Sequence, residues 1–324
     1  MRRRAFVAGM AAVMAAPRSA PVRAQTPTRI GVLYPGVDND IFRGNFDGFR
    51  TSLAGRGYTE GRNVLFELRF GEGRELRPIA TKLTEVSPDL VLAVARSATV
   101  AVHAATTSIP VVALDLESDP VASGFVKALP QPGGNLTGVF MDFPELAGKW
   151  LEILKTIVPR LARVAILWDP ATGPAQLEAA RRAGQILKLD VHAVEARTID
   201  GMEAAFGAAM QQRVNGMIAL TSPIFNSGRR TIVELAARHR LPTLLPFGGY
   251  AEDGGLVSYG PDVRSMYAQA GTLAVKILAG TPPARIPVER PTEFRLAFNA
   301  KTARSLNLTI PPSLLLRADQ VIDQ

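Results

Sequence analysis

The chain has 324 residues, 47% of them hydrophobic and 20% charged, and no cysteine, which excludes disulfides, thiolate nucleophiles and thiolate metal sites together. A formal charge of +8 suggests a polyanionic partner, yet five arginines (2, 3, 4, 18 and 23) and no acid fall within the first 24 residues. The remainder carries 32 basic against 29 acidic residues with no basic block, so it offers no electrostatic warrant for nucleic-acid binding.

In chain order, Arg2, Arg3 and Arg4 precede the uncharged run AFVAGMAAVMAA and a polar stretch ending at Ala24, the pattern of a secretory signal peptide over residues 1–24. Its apolar core is too short to span a bilayer comfortably, and no later run approaches the length of a transmembrane helix. The mature chain is therefore expected in the periplasm, reached by the Sec or the twin-arginine route, since Arg3, Arg4, Phe6 and Val7 fit a twin-arginine pattern in part.

From residue 29 onward, short β-branched runs alternate with helix-period segments, which predicts parallel sheets covered by helices. Strands are expected at 29–34, 63–70, 89–94, 110–114, 163–168, 190–196, 216–220 and 242–246. Phe42, Phe46, Phe49 and Leu53 recur at spacings of four, three and four, and Leu146, Trp150, Ile153 and Ile157 repeat the rhythm, each series burying one helix stripe. RIGVLY and RVAILW share one pattern and each opens a run of four strands, so the fold reads as α/β, one Rossmann-like lobe built twice.

The stretch QPGGNLTGVF (131–140) resembles a phosphate cradle but lacks the Lys and Ser/Thr a P-loop requires after its second glycine. It reads instead as the first crossover between lobes, with others near 246–262 and 290–299, and with Val263, Met266, Ala270, Leu273 and Ile277 forming one face of an intervening helix. The expected division is lobe 1 over 27–140 and 251–290, and lobe 2 over 141–250 and 291–324. Open parallel sheets bind ligands outside the carboxyl ends of their strands, so two facing lobes make one interlobe cleft.

The stretches GYTEGRNV, SDPVASGFV, PGGNLTGV, ELAGKWLEILK, GGLVSYGPD and FNAKTARSLNLTIPPSLLLRADQVI, which together run over nearly the whole mature chain, resemble the ABC-transporter substrate-binding proteins of the type that includes tryptophan- and tyrosine-binding members. The resemblance implies a periplasmic binding protein type I fold with three crossovers, an ABC permease of the inner membrane as partner, and a small solute as ligand, with an aromatic or branched amino acid as the first expectation. Lipoprotein members place a Cys at the cleavage point. This chain has none, and a free, monomeric periplasmic protein is expected.

Candidate ligand contacts follow the strands. Ser97 and Thr99 stand at a helix start after the third strand, where the family's loop helps hold a ligand carboxylate, and Ser118 and Asp119 follow the fourth. Asp169 follows the first strand of lobe 2, placed to pair with an amino group, and Thr221 and Ser222 follow its third. Tyr34, Phe247 and Tyr250, with Phe225, could wall the cleft, although packing is the more ordinary role for each ring. Asp119, Asp142 with Glu145, and Asp38 with Asp40 also fit helix caps.

Enzymatic constellations are sparse. His103, His192 and His239 are isolated, LVSYG around Ser258 lacks the glycine of a nucleophile elbow, and no cofactor motif is met. The binding reading stands against two alternatives, an exported α/β enzyme using the same cleft and a ligand-sensing module for a membrane receptor.

Overall fold

A computed structural model describes residues 27–141 and 144–323. The leader at 1–24 and the Asp142/Glu145 capping pattern lie outside what it describes.

The first sheet contains β1 (Thr28–Pro35), β2 (Val64–Gly71), β3 (Leu90–Val94), β4 (Val111–Asp115) and β5 (Leu136–Phe140), all parallel, in the order β2-β1-β3-β4-β5. The second contains β6 (Arg163–Trp168), β7 (Asp190–Glu195), β8 (Gly216–Ala219), β9 (Thr243–Leu245), β10 (Val257–Pro261), β11 (Phe294–Asn299) and β12 (Gln320–Ile322). Its order, β7-β6-β8-β9-β10-β11-β12, repeats that of the first sheet and adds two strands, β11 running antiparallel to β10. The central strands are buried on both faces, as parallel strands covered by helices must be.

All eight expected strands form, but each lobe has a fifth that the sequence reading assigned to a crossover. The reason is glycine. Gly138 of β5 lies beside Ala113, and Gly260 of β10 beside Pro246, so closely that a Cβ at either place would overlap the neighbouring carbonyl. These strands need glycine for close backbone approach, and their composition therefore imitates a turn. The third crossover segment likewise contains β11. The lobe boundary expected at 251 is corrected accordingly: residues 257–261 pair with β9 and β11 in the second sheet, and the chain passes to the first lobe only after Pro261.

Helices α1 (Asp40–Ala54), α2 (Leu76–Glu85) and α3 (Ala95–Ala105) cover the first sheet. In the second lobe lie α4 (Pro144–Ile157), α5 (Ala175–Ile186), α6 (Gly201–Gln211), α7 (Pro223–Ser227) and α8 (Arg229–Arg238). Then α9 (Val263–Leu278) crosses back to lie along α1, while α10 (Ala300–Ser305) and α11 (Pro312–Leu315) finish the second lobe.

The helix stripes are buried as their spacing predicts: Phe42, Phe46, Phe49 and Leu53 on α1, Trp150, Ile153 and Ile157 on α4, and Met266, Ala270, Leu273 and Ile277 on α9. Where α1 meets α9, Gly48 rests against the Arg264 carbonyl and Gly271 against Ser52, which lets the axes approach. Asn39 caps α1 through Phe42 N–H at 2.9 Å, whereas Asp38 pairs with Arg43, so neither Asp38 nor Asp40 is the cap. Residues 286–289 then cover the outer edge of β5, Glu289 N–H donating to Gly138 O and Phe140 N–H to Glu289 O, before the final crossing.

Candidate functional site

Where the carboxyl ends of the two sheets face each other lies a cleft of about 810 Å³. Its first wall follows β2, β3 and β4: Glu72, Arg74 and Arg77 from the start of α2, then Ala95, Arg96 and Ser97, then Glu117. The opposite wall follows β6, β7 and β8: Asp169 to Thr172, Arg197, and Pro223 with Ile224.

The turn from β3 into α3 has no spacer. Ala95 adopts the left-handed conformation (φ 64°), at a cost of about 1–2 kcal/mol for a residue with a Cβ. The strain lets the helix begin immediately beneath the cleft, and it aims Arg96 and Ser97 at the opening. Arg96 N–H donates to Glu117 Oε2 at 2.9 Å, so a carboxylate from the next loop replaces the usual cap.

The guanidinium of Arg96 donates from Nη1 to Ser118 Oγ (2.6 Å) and Ser123 Oγ (3.1 Å). Among the described residues no carboxylate is in salt-bridge contact with it. A Cβ on Gly173 of the second lobe would come 3.3 Å from Arg96 Nε, so this cation sits where the two walls meet.

Behind Arg96, Asp115 Oδ1 accepts from the N–H groups of Glu117 and Ser118, folding the loop after β4 into a tight turn. Burial pushes both carboxyls above their ordinary range. For Glu117 the rise is large, with the charge of Asp115 adding to the desolvation and that of Asp169 contributing from across the cleft.

On the second wall, Asp169 is buried at 5% exposure and accepts from Ala171 N–H and from Ser222 Oγ at 2.7 Å. Ser222 in turn receives Ile224 N–H, capping α7. Burial raises Asp169, with Ser222 offsetting part of the rise, and burial with the charge of Asp169 raises Glu72 on the facing wall. The charge of Asp169 thus reaches both Glu72 and Glu117 across the cleft.

Of the residues singled out from sequence, Ser97 and Asp169 line this cleft, while Ser118 and Ser222 stand directly behind it, holding Arg96 and Asp169. Tyr34 and Phe247 line a separate chamber of about 50 Å³ that adjoins the cleft at Ala95, Glu117 and Pro223. Tyr34 joins the lobes through a 2.9 Å hydrogen bond to Ser227, and burial pushes its hydroxyl up to about 12.

The structure does not bring Thr99, Thr221, Tyr250 or Asp119 to the opening. Thr99 is fully buried and returns its hydroxyl to Ala95 O, as threonine often does one helical turn on. Thr221 is locked to Gln176, Tyr250 belongs to the core of lobe 2, and Asp119 caps the exposed turn at Val121 and Ala122. Phe225 is also core.

Sequence reasoning missed Arg96, Arg74, Arg77, Arg197 and Glu72. Only Arg96, next to Ser97 at the end of a buried strand, carried a positional signal.

Two doubly wound lobes, linked by three crossovers and opposing their strand ends across a polar cleft, define a two-lobed solute-binding protein of the periplasmic binding protein type I fold. Within that class, residues 29–322 match the family described as ABC transporter substrate binding protein, and the chain belongs to that family. It is 24% identical over 264 residues to a tyrosine-binding protein of Clostridioides difficile (strain R20291), an alignment covering 81% of this chain and 76% of that protein. It superposes with TM-score 0.81 on the ABC domain in complex with L-Trp from Streptococcus pneumonia, at 26% identity, covering 92% of this chain and 100% of the other. A conserved domain protein from Vibrio cholerae gives TM-score 0.82 at 24% identity, with 91% and 100% covered.

Proposed function

We propose that this chain is the periplasmic capture component of an ABC importer, exported by its leader, and that it closes on a small solute bearing a carboxylate and an ammonium group. The observation that carries the reading is Arg96, a partly buried cation with hydroxyl partners only, facing Asp169 across the cleft. A solute carboxylate would give the Arg96 guanidinium the direct ion pair that its serine partners do not supply. An ammonium beside Asp169 would meet the charge that this residue extends toward Glu72 and Glu117 across the cleft.

Relatives that bind tyrosine and L-Trp support an amino acid as the class of solute. Closure about the three crossovers turns occupancy into a change of surface that a permease can read, and no bond is made or broken. No helix among the described residues is long and apolar enough to cross a membrane, in keeping with a chain that meets its membrane partner only by docking.

The test is thermal stabilisation of the purified chain by each L-amino acid, with mass spectrometry of any ligand released on denaturation. A solute that stabilises, is recovered unchanged, and loses roughly tenfold to hundredfold in affinity on Arg96→Gln supports the reading. Turnover of the solute, or full affinity in Arg96→Gln, overturns it.

A further inference from the structure

We infer that the solute carries a second anionic group at its far end, received by Arg74 and Arg77, so that an acidic solute and not an aromatic one is the preferred ligand. The inference rests on the solute-capture reading above and goes on to specify the side-chain end of the ligand.

The first argument is charge. Arg74, in the short 3-10 turn at Gly73–Glu75, and Arg77, in the first turn of α2, stand three positions apart, both exposed and both lining the cleft. Among the described residues neither forms a salt bridge, although Glu72 and Glu75 are close in sequence. Arg197 faces them from the other lobe, its own charge matched by Glu195 at 2.5 Å. With Arg96 engaged by one carboxylate and the three cleft acids engaged by one ammonium, Arg74 and Arg77 are left as two guanidinium groups without a counter-ion. Each guanidinium presents a fork of N–H donors that can pair bidentately with a carboxylate or phosphate.

The second argument is the lack of a ring site. Among the described residues no aromatic side chain lines the cleft. The adjoining chamber beneath Tyr34, Phe247 and Tyr267 holds about 50 Å³, whereas a cavity of about 150 Å³ accommodates benzene. An indole or phenol would find no stacking face in the cleft and no room in the adjoining chamber, so its apolar surface would lie against arginine. An acidic solute would find Arg96 for one anion and Arg74 with Arg77 for the other, all on the lining of one cleft.

The experiment uses matched acid and amide pairs on the whole chain: glutamate against glutamine, aspartate against asparagine, and phosphoserine against serine, with tryptophan and tyrosine as the aromatic arm. Isothermal titration and thermal shift are read for each, and any co-purified ligand is identified by mass spectrometry. The expected result is an acid bound at least tenfold more tightly than its neutral partner, with the preference cut roughly tenfold to hundredfold in Arg74→Ala/Arg77→Ala. Glutamate or aspartate leading identifies a carboxylate as the second anion, and phosphoserine leading identifies a phosphate.

A co-purified diacid without an amino group also supports the second anionic site, while removing the ammonium from the reading above. Equal binding of acids and amides, tighter binding of tryptophan or tyrosine, or an acid preference untouched by the double variant overturns the inference and leaves solute capture standing. No stabilisation by any of these solutes, together with no released ligand, overturns both.

Discussion

The two lobes share one strand order and one closing strand with glycine at the point of closest approach, yet they build their halves of the cleft by different chemistry. In the first lobe the strand runs straight into the helix through a left-handed Ala95, a distant carboxylate caps Arg96, and serine hydroxyls hold its side chain. In the second, Asp169 and Ser222 brace each other and Ser222 caps its own helix in the ordinary way. The repeat preserves backbone geometry, whereas the loops after the strands carry Arg96 on one wall and Asp169 on the other. Duplication thus supplies the frame, and divergence of the loops after the strands supplies the chemistry.

The largest expected effect tests the shared frame. Gly138→Val and Gly260→Val should each destabilise the chain by about 3 kcal/mol, because in both the added atoms meet backbone of the preceding segment and cannot be accommodated by side-chain movement. Urea unfolding of the two variants measures this, and a marked loss in only one would end the equivalence of the fifth strands.

A smaller effect sharpens the difference between the walls. An acid whose folded pKa is raised is ionised in the unfolded chain first, so its contribution to stability falls as pH climbs from the ordinary carboxylate range through the raised folded value. Glu117, raised by burial and by Asp115, should show this most strongly. Glu117→Gln keeps an acceptor for Arg96 N–H and removes the titration. Its melting temperature should match or trail that of the natural chain at acid pH and exceed it increasingly as pH rises. Ser222→Ala, which leaves Asp169 ionisable, should not reproduce that pH profile.

The smallest effect concerns the contact between lobes. Tyr34→Phe removes one hydrogen bond to Ser227, about 1 kcal/mol, and should shift the ligand-free chain several-fold toward a more open arrangement. Small-angle scattering would show a larger radius of gyration. An unchanged radius would mean that the bond does not bias the lobes.

Much of the frame was legible in the sequence because strands buried on both faces must be β-branched runs and covering helices must carry apolar stripes at a spacing of three and four. RIGVLY and RVAILW announced the repeat on those grounds alone. The fifth strands were not legible, since Gly138 and Gly260 answer to a neighbour's backbone that no local window contains. The site was legible where position after a strand decides the matter, as for Ser97 and Asp169.

It was misread where helix phase decides. Thr99 lies one turn from Ala95 and turns its hydroxyl back to it, and Thr221 finds Gln176, 45 positions away. Arg74, Arg77 and Arg197 look in sequence like ordinary solvated charges, and only the tertiary arrangement puts them on one opening.

The helix α9 has a consequence for how the chain comes into being. The phenylalanine stripe of α1 packs on Tyr34, Phe66 and Phe70 of its own lobe, but the face carrying Gly48 and Ser52 meets its cover only when residues 263–278 arrive, after nearly the whole of the other lobe has been synthesised. The amino-terminal half is complete only with α9, so a nascent chain leaves the Gly48 and Ser52 face of α1 without its lasting cover until late. Cutting the gene at the apparent midpoint would yield two fragments that each lack a wall, whereas joining the present ends and reopening the chain within a surface turn would keep every crossing intact.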